Sequence, residues 1–119
     1  MRNHLFLLVL TLVSAFALVG CIKNAPVPTG DAEKDGKAFA DYVVSKALKV
    51  NSVEDYDAFV EEIDKCEQQF KDYYEAKGSD AEEKISRYVD YYTTYHPKYE
   101  EAKKNLDKIR EKKSLEEDD

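Results

Sequence analysis

The chain has 119 residues, with 25 acidic against 18 basic side chains and a net charge of −7. That length supports one domain with one modest core. The negative balance excludes nucleic acid as a partner, and excludes purely electrostatic binding to anionic lipid.

At the N-terminus, Arg2 and His4 precede an apolar run from Leu5 to Val19 that is interrupted only by Thr11 and Ser14. A run of this length suits the core of a signal peptide and falls short of the ~20 residues that span a bilayer as a helix. It ends at Leu18-Val19-Gly20-Cys21. That ending resembles the lipobox of bacterial lipoproteins, where a small residue precedes a cysteine that is lipidated and becomes the new N-terminus. The resemblance covers the first 21 residues and brings no function family with it. It implies a signal peptide over 1–20, lipidation at Cys21 and a mature chain tethered to a membrane outside the cytoplasm. Ile22 is not the aspartate that retains some lipoproteins at the inner membrane, so the outer membrane is expected, with the leaflet left open. Loss of 1–20 removes one Arg and no acid, taking the charge from −7 to −8. Cys66 is then the only thiol, which leaves no intrachain disulfide.

Residues 21–30 read as the lipidated cysteine and a flexible tether. Ile22 to Gly30 holds Pro26 and Pro28 and shows no apolar periodicity. An extended segment at ~3.1 Å per residue would hold the domain some 25 Å from the lipid.

From Asp31 onward the pattern is helical, and two punctuation marks divide it. Ser52-Val53-Glu54-Asp55 resembles a capping box, and Gly78 is followed by Ser79-Asp80-Ala81-Glu82, an S-x-x-E cap. Helices are expected near 31–50, 53–77 and 80–113. The first presents Phe39, Val43, Ala47 and Val50, widened by Ala40 and Val44. The second presents Val53, Tyr56, Val60, Ile63, Cys66, Phe70 and Tyr73 or Tyr74. The third is the most regular, stepping through Ala81, Ile85, Tyr88, Tyr92, Tyr95, Tyr99, Ala102, Leu106 and Ile109. Apolar residues never alternate at period two for long, so no strand competes.

The fold class expected is all-α: a three-helix antiparallel bundle over 31–113, with a long third helix kinked or broken at Pro97. An interior proline costs ~3 kcal/mol, yet the stripe keeps its phase from Tyr95 to Ile109, which favours a continuous, kinked helix. Otherwise Pro97 is the first residue of a short fourth helix. The Gly78 turn is expected to face the membrane, and the end of the third helix, with Leu106 and Ile109, to overshoot the second. The tail 114–119 places acids at a helix C-terminus, against the dipole, and is expected to fray.

Tyrosine is the compositional oddity, with nine in the chain and five of them between Tyr88 and Tyr99. Most serve as large core residues with the hydroxyl at the surface, but the same residue type is enriched at interfaces. Tyr74 and Tyr91, at the edge of their stripes, and Leu106 and Ile109, on the overshooting end, are the expected partner-binding residues. His96 and Glu100 stand one turn apart, but a zinc site needs a third ligand, so a surface ion pair is expected and no metal or cofactor. Cys66 falls on an apolar stripe and reads as a small buried hydrophobe. No catalytic motif is present and no enzyme is expected. The function expected is a non-catalytic protein-binding module, lipid-anchored in the envelope, with an envelope or extracellular protein or a second copy as partner. The alternative is a self-associating structural spacer.

Overall fold

Four helices and no strand make up the described residues, 25–117, of the computed structural model. They are α1 (Ala32–Leu48), α2 (Val53–Glu75), α3 (Ser79–Thr94) and α4 (Tyr99–Glu117). The expected signal peptide 1–20, the lipidation site Cys21 and residues 22–24 lie outside the described residues, as do 118–119.

Local chemistry sets most of the boundaries. Asp31 accepts the backbone N–H of Lys34 at 3.1 Å and caps α1, with Glu33 and Asp35 in the first turn. Ser52 accepts from Asp55 N at 3.1 Å, the expected cap of α2. The Asp55 carboxylate reaches back to the N–H of Asn51, also at 3.1 Å, one residue earlier than a standard capping box. At the next turn the expected role of Ser79 is not realised. It is the first residue of α3, its side chain makes no capping bond, and Gly78 stands at the cap with φ +121°. Few residues but glycine adopt that backbone.

The continuous third helix expected through Pro97 is broken, so the bundle has four helices rather than three. α3 stops at Thr94 and residues 95–98 form a turn, closed by His96 N to Thr93 O (3.2 Å) and Tyr99 N to His96 O (3.0 Å). Proline has no N–H to continue the helix and pushes the residue before it out of the α region. Nor does Pro97 open the next helix, which begins at Tyr99. Freed from the axis of α3, α4 folds back onto the far ends of α1 and α2. Asn105 Nδ2 donates to the carbonyls of Ala47 and Val50, both at 2.8 Å, and so caps the C-terminal end of α1. Arg110 Nε donates to Tyr56 Oη at 2.9 Å, and Lys113 pairs with Asp57 at 2.8 Å. The helix persists through Ser114 to Glu117, where fraying was expected.

Two apolar clusters result. Phe39, Tyr42, Cys66, Phe70, Tyr74 and Ile85 form the larger one among α1, α2 and α3. Val44, Ala47 and Ala102, edged by Phe59 and Leu106, form the second under α4. α1 runs antiparallel to α2, as the pairs Asp35–Tyr74, Phe39–Phe70 (ring centroids 5.5 Å) and Lys46–Glu62 (3.5 Å) show. The tightest approach is between α1 and α3. A Cβ placed on Gly36 would lie 2.5 Å from Tyr88 Cβ and 3.0 Å from Tyr88 backbone carbon.

Residues 25–30, expected as the far half of a free tether, lie along the bundle as a strap. Ala25 packs against the larger cluster. Cys66 Sγ donates to the carbonyl of Pro26 at 3.9 Å. Thr29 and Gly30 are fastened to Asp35: its carboxylate accepts Thr29 N at 2.8 Å, Thr29 Oγ1 at 2.7 Å and Gly30 N at 3.2 Å, and also the hydroxyl of Tyr74. The strap therefore doubles back beside α1, and Pro26 sits level with Cys66, midway along α2, rather than at the Gly78 turn.

Candidate functional site

The tyrosines of α3, with Tyr95 just past its end, divide into an inner and an outer pair, and the outer pair is the candidate site. Tyr88 and Tyr92 are half-buried and stacked, with ring centroids 6.3 Å apart. Tyr92 donates to Glu33 Oε2 at 2.7 Å, a bond to α1 that, with some burial, pushes its hydroxyl up to about 12 and keeps it neutral. Tyr91 stands edge-on against Tyr92 at 5.1 Å and in turn contacts Tyr95 at 4.9 Å. Tyr91 is 56% and Tyr95 72% exposed. The result is a run of four touching rings, anchored at its inner side by a hydrogen bond and open to solvent at its outer side. Such rigid amphipathic rings give contact area at little entropic cost.

The residues singled out from the sequence part company here. Tyr91 is exposed as expected. Tyr74 is only 2% exposed, so it cannot meet a partner. It lies inside the larger cluster because its hydroxyl finds the Asp35 carboxylate, and both burial and that bond raise its pKa. Ile109 is buried at 3% exposure and Leu106 half-buried beside the second cluster, because α4 folds back instead of overshooting. Tyr95, assigned to the core stripe, is the residue that sequence periodicity missed. It sits beyond the last turn of α3, where the break at Pro97 releases it from the helical phase. The proline two residues on was the available signal.

His96 does not pair with Glu100. Its Nδ1 accepts from the Lys98 N–H at 3.0 Å, which leaves the proton on Nε2 facing Asp41 Oδ1 at 3.1 Å. It ties the α3–α4 turn to α1. Among the described residues, no group of His, Cys, Asp and Glu is arranged to hold a metal ion.

Cys66 is fully buried, and burial, followed by the charge of Glu67, pushes its thiol up to about 12. Almost no thiolate exists at neutral pH, and reagents cannot reach the sulfur, so native labelling should be slow by both routes. Cys66→Ala should cost roughly 1–2 kcal/mol through lost packing. Cys66→Asp should cost at least ~4 kcal/mol by burying an unpaired charge. Urea melts of the two variants, with labelling rates of the parent, check this; rapid native labelling would mean the larger cluster opens readily.

Between α2 and α3 a groove of about 450 Å³ lies open. Phe39, Phe70 and Ile85 form its buried floor, and Val43, Ile63 and Val89 its half-buried walls. Glu67 and Lys71 line the α2 side, Glu82 and Asp90 the α3 side, and a 3.0 Å ion pair from Lys71 to Glu82 closes the end nearest Gly78. Compared with family models, with curated proteins and with solved structures, the chain matches none.

Proposed function

We propose that the protein is a small lipid-anchored lipoprotein of the cell envelope, more specifically of the outer membrane, whose helical bundle is a non-catalytic protein-binding module. The observation that carries the binding role is the exposed, mutually touching pair Tyr91 and Tyr95 on a hydrogen-bonded tyrosine base. The anchor reading rests on the lipobox-like ending at Cys21. Among the described residues no helix is long and apolar enough to cross a membrane, so attachment in this reading falls to the lipid. The non-catalytic reading is supported by a thiol kept protonated in the core and a histidine engaged on both nitrogens. Self-association of a spacer through the overshooting end expected for the third helix loses support, because Leu106 and Ile109 pack inside the molecule.

The strap shortens the reach of the anchor. Four residue steps from Cys21 to Ala25 span at most ~14 Å, so the lipid would hold the flank of α1 and α2 close to the bilayer. In this reading the bundle lies along the membrane instead of standing on its Gly78 end.

Two measurements test the proposal. Cys21→Ala should leave a full-length, unlipidated chain in the soluble fraction by intact mass; a full-length chain still in the membrane would mean an uncleaved anchor helix. A photoreactive residue at position 95 should give discrete protein adducts in cells that weaken strongly with Tyr91→Ala, since interface aromatics contribute about 2 kcal/mol or more. The same probe at exposed Glu111 should give none. Helicity should not change, because exposed positions shift stability by less than ~0.5 kcal/mol. Equal adducts from both positions would sink the tyrosine face as the binding site.

A further inference from the structure

The groove between α2 and α3 is a second surface, separate from the tyrosine face. α3 packs chiefly on α1 and more sparsely on α2, and the groove opens along that sparser contact. From Glu82 to Thr94 it follows α3 for about three turns, or ~18 Å. An apolar floor between two helices is the seat a further bundle helix would take. Its charged flanks restrict what that helix can be. Glu67, Glu82 and Asp90 bring three carboxylates to the edges against one ammonium, Lys71, which is already paired with Glu82.

We propose that this groove docks a cationic amphipathic helix of a partner protein, about three turns long, with apolar residues at i, i+3/i+4 and i+7 on the floor and Lys or Arg beside Asp90. A second copy of this chain fits poorly, because it brings its own net charge of −7 and places like charges opposite the acidic edges. A small ligand fits less well than a helix because the groove is open along its length and its charged groups stand at the edges, with Asp90 exposed.

The test uses the full chain and two labelled synthetic peptides of equal length, one of Leu and Lys at helical spacing and one of Leu and Glu, read by fluorescence anisotropy. The Leu/Lys peptide should bind at least about tenfold tighter, and Asp90→Lys should weaken it about tenfold. Glu111→Lys, a charge reversal on the exposed face of α4, should change the affinity by less than about twofold. Ser86→Trp, which fills the groove from its exposed edge, should abolish binding with an unchanged circular dichroism spectrum; if that variant unfolds, the contrast between Asp90→Lys and Glu111→Lys decides alone. Equal effects of those two reversals would reduce the binding to diffuse attraction by an acidic surface and overturn the proposal. Equal binding of both peptides would overturn it as generic apolar adhesion. Loss of binding with Tyr91→Ala would move the peptide to the tyrosine face and overturn the groove as its seat.

Discussion

Asp35→Ala should lower stability by about 3 kcal/mol, seen as a fall in Tm of roughly 12–24 °C for a domain of this size. The carboxylate is 1% exposed and accepts four hydrogen bonds, from the backbone and hydroxyl of Thr29, the backbone of Gly30 and the hydroxyl of Tyr74. Thr29 and Gly30 can turn to water once released. Tyr74, inside the larger cluster, cannot, and an unsatisfied buried donor costs about 1–3 kcal/mol by itself. Limited proteolysis should therefore cut the strap before Asp31 much sooner in the variant, while the helical signal at low temperature is kept. Burial alone would raise the pKa of Asp35; the hydrogen bonds outweigh it and hold the carboxyl below its ordinary value. The unfolded chain then takes up the proton first. The stabilisation is complete above the ordinary carboxylate pKa of about 3.9 and is lost as pH falls through the lower folded value. Acid titration of the parent should show this loss, and Asp35→Ala should lack it. A variant with parental Tm and parental acid profile would show that the strap contributes nothing to the fold.

Gly36→Ala should destabilise by about 2–3 kcal/mol, even though replacing a helical glycine with alanine ordinarily gains up to ~1 kcal/mol. The new methyl would meet Tyr88 Cβ at 2.5 Å, with Tyr88 backbone carbon at 3.0 Å and Val89 N at 3.1 Å. A flexible side-chain tip could move aside; a Cβ and backbone atoms of a helix cannot. α1 and α3 would have to separate, pulling at the Tyr92–Glu33 bond and at the packing of Phe39 and Ile85. Ser45→Ala, on the exposed face of α1, provides the matching control and should be neutral or slightly stabilising. The comparison needs only chemical melts of the two variants. Equal stability for Gly36→Ala and the parent would mean the helices are free to shift apart at little cost.

Much of the architecture was legible in the chain because it rests on local chemistry. Three-to-four spacing of Phe39, Val43, Ala47, Ile63, Cys66, Phe70 and Ile85 specifies amphipathic helices whatever they pack against. Asp31 and Ser52 start their helices with side chains three residues from the N–H they accept. Those interactions close within a turn or two, so sequence spacing points to them, although the cap it points to at Ser79 does not form.

What the tertiary structure decided depends on groups far apart in the chain. The stripe continuing past Pro97 told only that both halves bury one face; it did not say that the axis turns, because a break and a kink leave the same period. The turn sends Ile109 inward and Tyr95 outward. Tyr74 and Tyr91 read alike, since tyrosine suits either a core or a surface, and only the approach of Asp35 from a helix 39 residues away draws one of them inside. Asp35 stands in the first turn of α1 beside Glu33, and nothing in the local pattern distinguishes the two. A buried carboxylate becomes tolerable only where donors converge on it, and here they come from a proline-containing strap and from α2 at once. Periodicity records which side of a helix avoids water; which partner covers that side, and how closely, is settled by contacts that no local pattern contains.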